Sequence, residues 1–191
     1  MHLKHVGTHK LAEFKTAQEA LVDLCQPFAR GGSLTAACTE VQPAAMPAAE
    51  RQLLAHREHM TIVLQDHHGS PVEVQVMEAV RDHDLYARKI ILTPGHADKI
   101  VEAGIVRMNF RYMSAEVRDA IVARRRPLGE ILIAHDVLRR IEPLWFIRLP
   151  AESDVLALFD LHPQQPTYGR LATIFCNGEP AIELLEIVLN A

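Results

Sequence analysis

Between residues 70 and 92 the chain falls into a two-residue rhythm. Val72, Val74 and Val76 alternate with Glu73, Gln75 and Met77, the repeat of a half-buried strand. After the polar break RDHD, the stretch YARKIIL (86–92) puts Tyr86, Arg88, Ile90 and Leu92 on one face. Ala87, Lys89 and Ile91 take the other, so two neighbouring cations point in opposite directions. IVEAGIVRMNFRYM (100–113) predicts a long strand, and further strands are predicted at 137–149, 169–176 and 181–189. Asn177-Gly178 joins the last two as a hairpin turn.

Elsewhere the spacing is helical. Leu11, Phe14, Ala20, Leu21 and Leu24 predict an amphipathic helix within 9–27. Small residues with paired Gly and two Pro at 29–49 predict a loop or linker. Helix resumes near Glu50, and a second piece over 59–69 is closed by Gly69. Ser114 is placed to cap the helix SAEVRDAIVARRR, and Pro127 to open another. Strands outnumber helices and join through short turns, which predicts an α+β fold: a mainly antiparallel sheet with helices on one face. Residues 1–49 are expected to form an N-terminal helix and linker extension, and 50–191 the sheet domain.

Composition narrows the class. The chain has 191 residues, 49% hydrophobic and 23% charged, with a formal charge of -4. That balance offers no general attraction to nucleic acid or anionic lipid. No apolar run reaches the ~18–20 residues of a membrane span, and "MHLKHVGTHK" lacks the apolar core of a signal peptide. A cytoplasmic protein is expected. Cys25, Cys38 and Cys176 are widely spaced and odd in number, which supports reduced thiols and no disulfide framework. Eleven histidines include His56 and His59, the pair His67-His68, and His83, His96 and His135. With no H-E-x-x-H and no cysteine at ligand spacing, they read as surface residues and not a metal site. The basic clusters at 123–129 and 138–143 read as solvated ends of elements.

Two side chains break their apolar rows. Arg88 shares its face with Tyr86, Ile90 and Leu92, where an unpaired charge costs several kcal/mol. It is either a structural ion pair or a carboxylate clamp, a geometry that suits guanidinium. Glu186 stands between Leu184 and Val188 in the last strand. It is either an edge-strand residue facing water or a desolvated carboxyl suited to hydrogen bonding and proton transfer.

The motifs EHMT, PVEVQV, YARKIIL, RRPLGEIL and YGRLATIFCNGEPAIELLEIVL occur in an order that resembles the chorismate lyase (chorismate pyruvate-lyase) family over residues 50–190. The resemblance implies an antiparallel sheet with packed helices enclosing a ligand. It also implies cofactor-free conversion of chorismate, or a close relative, to 4-hydroxybenzoate and pyruvate. The family's carboxylate-binding arginine falls on Arg88, and its glutamate for the ring hydroxyl on Glu186; these two are the catalytic candidates. Its ligand-flanking backbone groups fall on Met60 and Leu128. Family enzymes carry a second arginine directly after Ala-Gly. Here Ile105 follows Ala103-Gly104, and Arg107, on the same face, is the candidate substitute. With Arg88 as the carboxylate anchor, Lys89 is the solvent-side residue; the second reading is a non-catalytic aromatic-acid binding or sensor module of the same fold. Some bacterial transcription regulators sense ligands with similar domains, normally behind a winged-helix domain, for which 1–49 is short and neutral. The expected partner is a small aromatic or shikimate-derived acid, with no cofactor, no nucleic acid and no membrane, in a monomer or homodimer.

Overall fold

A computed structural model describes residues 10–29, 33–95 and 99–190. His96 and the glycine pair at 31–32 lie outside the described residues. Seven strands form one antiparallel sheet: β1 (Thr39–Glu40), β2 (Val72–Asp82), β3 (Leu85–Pro94), β4 (Glu102–Asn109), β5 (Arg139–Leu149), β6 (Thr167–Cys176) and β7 (Glu179–Val188), in the order β1-β5-β6-β7-β4-β3-β2. The β6–β7 hairpin turns on Asn177 (φ 52°) and Gly178 (φ 87°), two left-handed residues whose twist suits a tight antiparallel connection. The predicted strand over 100–113 stops at Asn109. The side chain of Asn109 accepts from the Arg111 N–H and opens a short 3₁₀ turn over Phe110–Tyr112.

Helices α2 (Ala48–Leu54), α3 (Met60–His68), α4 (Ala115–Val122) and α5 (Leu128–Ala134) contribute to the cover of one face. Ser114 caps α4 through the Val117 N–H, and Gly69 (φ 63°) ends α3 in the left-handed region, which glycine enters without steric cost. Leu64, Leu53, Val117, Ile121 and Ile131 are buried over Tyr86, Ile90, Leu92, Val106 and Leu184.

The opposite face is covered too, against the expectation of helices on one side only. Helix α1 (Ala17–Cys25) and the flanking Leu11 and Phe28 bury Ala87, Ile91, Ala103, Ile105, Leu185 and Ile187. Helix α6 (Asp154–Ala157) extends this layer with Val155, Leu156 and Phe159. The Asp154 carboxylate accepts from the backbone N–H groups of Thr35 (2.6 Å) and Ala36 (3.1 Å), and β1 pairs with β5. Within the described part of 1–49, Leu11, α1, Phe28 and Ala36 pack into this second layer, while Met46 packs into the first. The apolar alternation on both faces of β3, β4 and β7 is the signal of a sheet buried twice.

Lys89 corrects its expected place at the solvent. It is 5% exposed, donates to the Leu158 carbonyl, and stands 3.9 Å from Glu78 and 5.8 Å from the Phe159 ring centre. Among the described residues no helix is long and apolar enough to cross a membrane.

Candidate functional site

Antiparallel register decides which side chains meet. Arg88 pairs with Val106, Val106 with Leu184, and Gly104 with Glu186, which pairs in turn with Arg170. Directly paired residues share a face, so Arg88, Glu102, Gly104, Val106, Leu184, Glu186 and Arg170 all lie beneath helices α2–α5. A cavity of about 40 Å³ opens there, room for roughly three waters at ~10–15 Å³ each. Met60, Leu128, Glu186, Glu102 and His59 line it, on an apolar floor that includes Ile90, Val106 and Leu184. Met60 and Leu128 are the first residues of α3 and α5, where the first-turn N–H groups have no partner within the helix. A larger open groove of about 700 Å³ runs along residues 161–168, and no buried charged side chain lines it.

Arg88 is fully buried on the same sheet face, between Tyr86 and Ile90 and opposite Val106; Ile90 and Val106 line the cavity and Arg88 does not. Its Nε, Nη1 and Nη2 have no hydrogen-bond partner among the described residues, and neither has the Tyr86 hydroxyl. Burial, and to a lesser degree the Arg124 charge, pushes its guanidinium down to about 10, while Tyr86 opposes the shift. It is charged at neutral pH, and no described residue supplies the ion pair that is one reading of Arg88.

Glu186 is engaged. Its Oε2 accepts from Arg170 Nε at 2.5 Å, and Arg170, itself fully buried, also donates to the carbonyls of Leu54 (3.1 Å), His56 (2.8 Å) and Glu58 (3.3 Å). Arg170 thus ties the last strands to the α2–α3 connection. The carboxyl held well above its usual range is Glu102, by burial first and by Glu186 second, with Arg170 opposing. His59 corrects its expected surface position. It is buried, its Nε2 accepts from Arg139 Nε at 2.7 Å, and burial with two nearby arginines pushes it down to about 4. His56 is part-buried and is lowered by burial first and by Arg170 second.

Arg107 is not in the site. The pocket face of β4 carries the even-numbered residues, so Ile105 and Arg107 both point into the other layer. There Arg107 donates to Asp23 of α1 at 2.6 Å and to Glu183 at 2.8–2.9 Å, while the other Glu183 oxygen accepts from the Leu11 N–H at 2.5 Å. Met60, Leu128 and Glu186 are brought together and Arg88 stands on the same face. Sequence reasoning passed over Arg170, Glu102 and His59. The first two interrupt apolar alternation as Arg88 does and were legible by the same argument. Among the described residues no group of three His, Cys, Asp or Glu is placed to hold a metal ion.

No protein-family model matches the sequence, and no curated protein matches it. Solved structures do. PhnF from Mycobacterium smegmatis aligns at a TM-score of 0.51 with 9% identity, over 68% of this chain and 63% of that one. The present chain therefore spans somewhat under two thirds of that protein's length. The effector domain of the same PhnF aligns at 0.48 with 10% identity, over 70% of this chain and 89% of that one. A GntR-family transcriptional regulator from Bacillus cereus aligns at 0.42 with 9% identity, over 62% of this chain and 92% of that one. At these identities the likeness is one of fold, the α+β chorismate-lyase-like arrangement.

The expectation of a cofactor-free chorismate lyase is corrected by these findings. PhnF, which aligns at a TM-score above 0.5, is not described as a lyase. The geometry agrees. The candidate for a second carboxylate contact faces the opposite layer, and the candidate catalytic glutamate is neutralised by an arginine.

Proposed function

We propose that this chain is a non-catalytic binding module that senses a small organic acid with an apolar, planar body, an aromatic acid being the type. The observation that carries the reading is the buried guanidinium of Arg88, whose three nitrogens lack partners among the described residues. A carboxylate received there satisfies a charge that the fold leaves unpaired, and bidentate geometry makes that contact directional. The apolar floor of Ile90, Val106 and Leu184 suits a ring. The walls at Met60 and Leu128 belong to separate helices, so entry of a ring parts α3 from α5. The effector domain of PhnF, similar in fold, fits a sensing role.

Titration calorimetry with 4-hydroxybenzoate tests the reading. Wild-type protein binds it, Arg88→Ala stays folded and loses the binding, and chorismate incubated with the protein yields no pyruvate above the uncatalysed rate. Equal affinity in Arg88→Ala would refute the clamp.

A further inference from the structure

Glu102 opens β4 on the pocket face and is 3% exposed. Its Oε2 has no hydrogen-bond partner among the described residues. Its Oε1 lies 3.3 Å from the point where a Cβ on Gly104 would sit, so the carboxyl folds back over a position kept bare. The same side chain lines the cavity with Glu186. Arg170 already has its counter-charge in Glu186, leaving none for a second carboxylate. Burial first, and the Glu186 charge second, push the Glu102 carboxyl well above its usual range, toward the protonated form. A protonated carboxyl offers one O–H donor and retains acceptor capacity, and a buried group of that kind left unsatisfied costs free energy that a suitable ligand returns.

Arg88 lies opposite Val106, and Glu102 precedes Val106 by four residues. Along a strand that separates their backbone anchors by about 13 Å, with the apolar floor of the cavity in between. The Arg88 guanidinium and the Glu102 Oε2, both without a partner among the described residues, thus lie at opposite ends of one face, one cationic and one a carboxyl pushed toward its protonated, hydrogen-bonding form.

We propose that Glu102 selects the ligand at the end remote from Arg88, by exchanging a hydrogen bond with a hydroxyl, so that the module prefers a hydroxylated carboxylic acid over the same acid without its hydroxyl. The selection rests on the reading that Arg88 receives the anionic end. It replaces the role that resemblance assigns to Glu186, which Arg170 occupies. A site built to bond a hydroxyl rejects an analogue lacking it because its own polar group is left bare. A dicarboxylate is rejected as well, since its second charge finds no free cation at that end: Arg170 is already paired with Glu186.

The test compares 4-hydroxybenzoate, benzoate and terephthalate by calorimetry on the full chain, in wild type, Glu102→Gln and Glu102→Leu. Wild type prefers 4-hydroxybenzoate to benzoate by at least tenfold and does not bind terephthalate. Glu102→Gln, which keeps a donor and an acceptor, retains the preference. Glu102→Leu binds benzoate and 4-hydroxybenzoate within about twofold of each other. A preference that survives in Glu102→Leu, or wild type that binds both monocarboxylates equally, overturns the role of Glu102 and leaves the Arg88 clamp standing. Wild type that binds none of the three overturns the clamp itself, and the selection with it. The wild-type comparison needs no variant, so a misfolded substitution cannot shelter the proposal.

Discussion

Replacing Arg88 with methionine should make the ligand-free protein more stable. In most buried ion pairs such a change strands a partner, but here no described residue is stranded. What disappears is a charge that burial pushes down to about 10, a displacement of roughly 3 kcal/mol at about 1.4 kcal/mol per tenfold. Methionine fills most of the same volume with apolar atoms and adapts its shape, and replacing buried charges with packed apolar residues stabilises other proteins by about 1–4 kcal/mol. Each kcal/mol moves the melting temperature of a chain this size by about 2–4 °C. Scanning calorimetry at pH 7, in a buffer free of carboxylates and phosphate, should place Arg88→Met roughly 5–10 °C above wild type. With 4-hydroxybenzoate at a hundred times its dissociation constant, wild type gains about 2.7 kcal/mol by mass action and the variant gains nothing. A variant that melts below wild type would refute the reasoning, because it would show that the guanidinium holds the fold together.

Arg107→Met has the opposite sign. It leaves Asp23 and Glu183 without their cation and should cost about 3–5 kcal/mol in a chemical-denaturation curve, while calorimetry at low temperature finds 4-hydroxybenzoate affinity unchanged. Gly169→Ala should cost about 1–3 kcal/mol, since a Cβ there would lie 2.6 Å from the Glu186 carbonyl oxygen; a melting temperature equal to wild type would contradict that close approach. His59, pushed down to about 4, should remain neutral at pH 5 by imidazole NMR, and it favours the folded state least in acid. The unfolded chain takes up that proton as pH falls below about 6.5 and the folded chain only near 4, so stability declines across that window. Of the three thiols, only half-buried Cys38 should react promptly with an aromatic disulfide reagent, because Cys25 and Cys176 are buried away from it, while burial pushes all three thiols up.

The strands were legible because successive side chains of a strand face opposite sides of the sheet, and Asn177-Gly178 names its own turn. Two features were not fully legible. The second layer was legible as an amphipathic helix through Leu11, Ala20, Leu21 and Leu24, but nothing in its spacing said that its apolar side packs on the sheet, and Ala36 lay in a stretch of linker chemistry. Lys89 gave no sign of burial, since its partner is a backbone carbonyl at Leu158 that no sequence pattern announces. In the site, alternation identified Arg88 and Glu186 as anomalies, yet which anomalies neutralise each other depends on strand order. Arg170 meets Glu186 only because β6 and β7 are adjacent. The placing of Arg107 failed on parity: residues two apart share a face, but which face holds the pocket is set by the pairing of Arg88 with Val106.

Strand β3 is flanked by β2 and β4 and covered above and below. Its backbone amides therefore have no local route to solvent, and hydrogen exchange at the centre of the strand requires the whole sheet to open. That makes the strand bearing Arg88 a built-in gauge of occupancy. A ligand that binds only the closed protein slows every one of those amides by the same factor, one plus its concentration over its dissociation constant. The outer strand β2, half-buried along most of its length, can exchange by fraying and reports the ligand only faintly.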